Sequence, residues 1–121
     1  MVTQSLAAEM SAQKKLKELV TKYQWKSYQL NGSFFLEGKY GYYYWVRKGF
    51  PTVICSRGKE RETWFHGSFC YHALGYHRMK FAGAEVPTED VIAVYLMIRA
   101  DERRFVRKAT YHHLKDPLGG I

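Results

Sequence analysis

The segment Tyr42-Tyr43-Tyr44-Trp45-Val46 constrains this chain more than any other. It is an unbroken run of strand-forming residues, set between Gly41 and the turn-like Lys48-Gly49-Phe50-Pro51. Successive side chains on a strand face opposite ways. Tyr42 and Tyr44 therefore share one face, and Tyr43 and Trp45 share the other. A strand that is aromatic on both sides needs cover on both. One face suits packing against a helix. The other suits either more protein or the stacking of unpaired bases.

The neighbouring sequence extends this strand into a sheet. Leu30-Asn31-Gly32-Ser33 carries a hairpin-turn signal ahead of Phe34-Phe35-Leu36. Thr52 to Cys55 is a further strand. Ser56 to Arg61 is a charged turn, and Glu62-Thr63-Trp64-Phe65 is a last short strand. Three helices are expected around it. The first runs from Thr3 to about Tyr23, with Leu16, Leu19, Val20 and Tyr23 at helical spacing. The second starts at Ser68 as N-cap and runs to about Ala82, ahead of Gly83. The third opens at Val86-Pro87-Thr88, where Thr88 can cap and Glu89 and Asp90 suit the positive end of the helix dipole. It continues through Lys108, and the C-terminal helix is expected over 87–114. The expected fold is α+β: one domain over 1–121, a small antiparallel β-meander packed against three helices, with 1–25 and 27–83 as its earlier parts.

Charge then narrows the function. The 121 residues include 19 Lys and Arg against 11 Asp and Glu, a formal net charge of +8, and 17% are aromatic. Basic side chains neutralise phosphates and rings stack on bases, so nucleic acid is the expected partner, DNA ahead of RNA. Arg99, Arg103 and Arg107 recur every four residues and would line one helix face, flanked by Arg104 and Lys108. Lys48, Arg57, Lys59 and Arg61 supply charge from the turns, and Tyr43 and Trp45 supply rings. The competing reading of these charges is a solvated surface paired with its own acids. Two cysteines without a disulfide framework suit a reducing, intracellular setting. Lys14, Lys15 and Lys17 follow a weakly apolar start, the wrong order for a secretory signal.

Both cysteines and two of the five histidines cluster: Cys55, His66, Cys70 and His72. Thiolate and imidazole are preferred zinc ligands, and four of them close a tetrahedral site. Ordinary burial of the two thiols is the competing reading. Phe65-His66-Gly67-Ser68-Phe69-Cys70-Tyr71-His72-Ala73-Leu74 resembles the second half of a SWIM zinc finger, in which two strands lead into a helix carrying a Cys-x-His pair. Val53-Ile54-Cys55 resembles a lead-in strand. The resemblance implies a Zn²⁺ site and binding to DNA or protein rather than catalysis. It is incomplete, because Arg57 stands where the family has its second cysteine. His66 is the expected substitute ligand, beside Cys55, Cys70 and His72.

The acids are scattered, so a metal-dependent nuclease ranks last and no enzymatic activity is expected. The expectation is thus a small, basic, zinc-binding protein that holds nucleic acid. The alternative is a protein-interaction module that docks partners on its aromatic surface, with Cys55 and Cys70 in the core.

Overall fold

In a computed structural model, the structure describes residues 4–69 and 86–111. Helix α1 spans Gln4–Leu19 and α2 spans Lys22–Asn31. Strands β1 (Ser33–Glu37), β2 (Tyr42–Arg47), β3 (Thr52–Arg57) and β4 (Thr63–Phe69) follow. Helices α3 (Pro87–Ala100) and α4 (Glu102–Lys108) then lead to a two-residue β5, Thr110–Tyr111. The five strands form one antiparallel sheet in sequence order, β1-β2-β3-β4-β5. The α+β meander packed against helices is present, with four helices described rather than the three expected.

The expected N-terminal helix is two helices. Thr21 is extended, its Oγ1 accepts from the Gln24 backbone N–H, and the Gln24 side chain accepts from the Thr21 N–H. That reciprocal capping box starts a new helix. The apolar stripe is shorter as a result: Leu16 is fully buried, whereas Tyr23 is 86% exposed. The Leu30–Ser33 hairpin turn is also corrected. Gly32 sits in the left-handed region (φ 74°) and its N–H bonds to Tyr28 O at 2.8 Å, ending α2. A helix end and a hairpin both need a residue that tolerates positive φ, so Asn-Gly served either.

Strand β4 runs four residues past its expected end. Ser68 is not a helix cap: it pairs with Val53 on one side and Thr110 on the other. Phe69 pairs with Thr52, and its ring packs 4.5 Å from that of Phe105. The remainder of the expected second helix, to Ala82, lies outside the described residues. The third helix divides at Asp101, whose carboxylate accepts from Arg104 N–H at 3.2 Å and opens α4. It ends at Lys108 instead of continuing toward 114, because the chain turns into β5. Thr88 does not cap α3 itself. It is the second residue of α3, and Glu9 of α1 accepts both its N–H (2.9 Å) and its hydroxyl.

All four helices pack on one face of the sheet. Phe34, Leu36, Tyr44, Val46 and Ile54 meet Leu16 of α1, Tyr28 of α2, Val91, Val94, Tyr95 and Ile98 of α3, and Phe105 and Val106 of α4. Each such side chain contributes about 1.5–3 kcal/mol by leaving water. Alternation then dictates the other face, on which Phe35, Tyr43, Trp45, Arg47, Val53, Cys55 and Arg57 lie.

Candidate nucleic-acid interface

The outer face is built in cross-strand rows. One row is Phe35, Trp45, Val53 and Ser68; the next is Glu37, Tyr43, Cys55 and Phe65. Directly opposed side chains on one sheet face approach within contact distance. Phe35 accordingly stacks on Trp45 (centroids 6.1 Å, 19° between planes) and meets Tyr43 edge-on at 5.7 Å. Arginines complete the surface. The Arg47 guanidinium lies 4.6 Å from the centre of the Trp45 ring and 5.2 Å from that of Phe50. Its Nε donates to Pro51 O at 3.0 Å, which fixes it there. Arg57 lies 5.5 Å over Tyr43, whose hydroxyl donates to Thr63. Phe35, Phe65 and Phe50 are 56%, 54% and 67% exposed. This is a platform of ring faces with planar cations between and beside them.

Tyr43, Trp45 and Arg57 are therefore brought together as the alternation predicts. Lys59 and Arg61 are exposed on the loop after β3, at the Arg57 end of the platform. Glu62 shapes that loop: its carboxylate accepts from the Trp64 indole at 3.0 Å, which holds it below the usual carboxylate range. Lys48 belongs elsewhere. It is on the helix side, with Nζ 3.6 Å from Glu9 and over the Tyr28 ring. Phe35, Arg47, Phe50 and Phe65 complete the platform and were not expected there. Arg47 was legible, since it lies two residues from Trp45 on the same strand face. Phe35 and Phe65 needed the strand register to place them.

The C-terminal arginines do not form one stripe, because the helix breaks at Asp101. Arg99 closes α3, 5.5 Å over Tyr95, while Arg103, Arg104, Arg107 and Lys108 are exposed on α4.

Of the expected zinc set, Cys55 and His66 lie among the described residues. Cys55 is fully buried on the outer face, its Sγ 3.8 Å from Val53 O, and burial pushes its thiol up to about 11. His66 is the extra residue of a β-bulge: Ile54 pairs with Gly67 and Cys55 with Phe65. Its Nε2 is 2.6 Å from Ser56 Oγ and its ring meets Tyr42 edge-on. Ser56 and Tyr42 face the helices, opposite to Cys55. Cys55 and His66 thus point to opposite sides of the sheet. Cys70 and His72 lie outside the described residues, among which no group of three His, Cys, Asp or Glu could hold a metal.

Comparison with family models, curated proteins and solved structures gave no match. Among the described residues, no helix is long and apolar enough to cross a membrane.

Proposed function

We propose that this chain is an intracellular binding protein that holds single-stranded nucleic acid, DNA ahead of RNA, on the outer face of its sheet. The supporting observation is the Phe35–Trp45–Arg47–Phe50 stack, with Tyr43 and Arg57 beside it. Ring faces accept any unpaired base, and guanidinium groups between rings meet the phosphates that join them. The net charge of +8 attracts the strand over a longer range. The reading does not depend on zinc, because the supporting rings and guanidinium groups lie on β1, β2 and β3 and the turn between the last two.

The test is fluorescence anisotropy with single-stranded DNA and RNA oligomers across a salt series. Affinity is expected to fall steeply with salt, and Trp45→Ala to weaken binding by about 1–3 kcal/mol, the worth of one stacked base. If affinity ignores both salt and Trp45→Ala, the platform is instead a docking face for a partner protein.

A further inference from the structure

The outer face of the sheet carries one group of the wrong sign for a phosphate-binding surface. Among the described residues, Glu37 is the one acid within β1 to β4. Alternation places it on the outer face with Phe35, and the register sets it directly opposite Tyr43. Both Phe35 and Glu37 are exposed, whereas Leu36 between them is buried. Other acids are committed to the fold. Glu9 accepts from Thr88 N–H, Glu62 from the Trp64 indole and Glu102 from Lys39 N–H. Glu37 has no such bond or ion pair among the described residues. A carboxylate that did no more than repel phosphates would weaken the platform.

Its neighbours are rings. Directly opposed residues on one sheet face have Cβ atoms about 4.5–5.5 Å apart, which sets Glu37 beside Tyr43. Phe35 precedes it by two residues on the same strand face. A base resting on Phe35 or Tyr43 therefore brings its edge to the Glu37 carboxylate. An ionised carboxylate only accepts, through two oxygens side by side. The bases differ in what they offer such a group. Guanine presents two adjacent donors, N1–H and N2–H. Adenine and cytosine present an amino group beside an unprotonated ring nitrogen, whose lone pair the carboxylate repels. Thymine and uracil present N3–H between two carbonyl oxygens. Only guanine meets the carboxylate with two parallel hydrogen bonds. In a duplex that edge is taken by cytosine, so the contact needs an unpaired strand. We infer that Glu37 selects guanine at the position stacked on Phe35 and Tyr43, so that the platform prefers single strands containing guanine. This deepens the platform reading above and rests on it.

The test uses the full chain and labelled oligothymidylate of roughly twelve nucleotides. Two further strands replace one central thymine, by guanine or by hypoxanthine, which lacks the N2 amino group. The parent chain is expected to bind the guanine strand about fivefold or more tighter than oligothymidylate, the discrimination of one bidentate contact. Hypoxanthine is expected to lose most of that gain. Glu37→Gln is expected to bind all three strands alike, and oligothymidylate no more weakly than the parent does. Glu37→Ala should match it, since neither side chain offers two acceptors. A parent that binds the guanine and thymine strands alike overturns the inference, as does a guanine preference that survives in Glu37→Gln. So does a variant that binds every strand more tightly by one common factor, because Glu37 then only repels phosphates. Trp45→Ala on oligothymidylate tests the platform separately: weakened binding there keeps the platform reading even where guanine is not preferred. Failure of the parent to bind any of the three strands overturns both readings together.

Discussion

Cys55 shows at the scale of one residue how context decides chemistry. In a helix-terminal or cationic setting a thiol ionises readily and binds metal. On β3 it is fully buried between Tyr43 and Phe65, and burial raises its pKa from 9.0 to about 11. Tyr28 behaves alike: burial, partly offset by its hydrogen bond to Thr88, raises it from 10.0 to about 12. In both cases the folded state holds the proton more tightly than the unfolded state does. Their stabilising contribution is complete below the unfolded values and is lost as pH rises through the folded ones. Urea midpoints are therefore expected to fall from about pH 9 upward, first through Cys55 and then through Tyr28, and Cys55→Ala to flatten the first part of that fall. In a Cys70→Ser background, a thiol reagent at neutral pH should modify Cys55 only as fast as the chain opens. The sequence offered Cys55 and His66 as neighbours in chemistry. Only the strand register, with one bulge residue, shows that they face apart.

Helix boundaries were the least legible feature at the scale of elements, and the reason is local. Thr21 and Asp101 each lie inside a run of good helix-formers, so periodicity carries across them. Each nonetheless has a side-chain oxygen that accepts the backbone N–H three residues on, which starts a new helix. Thr21-x-x-Gln24 was available as a written signal of that start. Without the break, α2 would not lie along β1, where Ser27 Oγ donates to Ser33 O (2.7 Å) and Gln24 Nε2 donates to Phe35 O (2.9 Å). Those bonds occupy carbonyls of an edge strand that would otherwise invite another chain. Thr21→Ala is expected to cost about 0.5–2 kcal/mol in chemical denaturation. It should also speed hydrogen exchange in the first turn of α2 while leaving α3 unchanged. Equal protection in both helices would mean that the capping box contributes nothing.

The strands were legible where the helices were not, because alternation in β2 states the layering of the whole molecule. Tyr44 lies at 0% exposure among helices, while Tyr43 and Trp45, one residue to either side, face outward. What the sequence could not supply was the set of partners on that outer face. Phe35 reaches Trp45 only through the β1–β2 register, and the four α4 cations separate from Arg99 only through the break at Asp101. The layering predicts that stability and binding can be lost independently by substitutions close in sequence. Tyr44→Phe removes a hydroxyl that donates to the buried Glu102 carboxylate. Leaving that acceptor short of a partner is expected to cost about 1–3 kcal/mol of stability at unchanged single-strand affinity. Arg57→Gln, exposed on the opposite face, is expected to leave the melting temperature almost unmoved and to lower the salt slope of single-strand binding by about 0.7. Melting curves and salt titrations on the two variants check this directly. If both variants lose stability and affinity in proportion, the outer face is part of the folding core, and the sheet does not divide the molecule into a supporting side and a binding side.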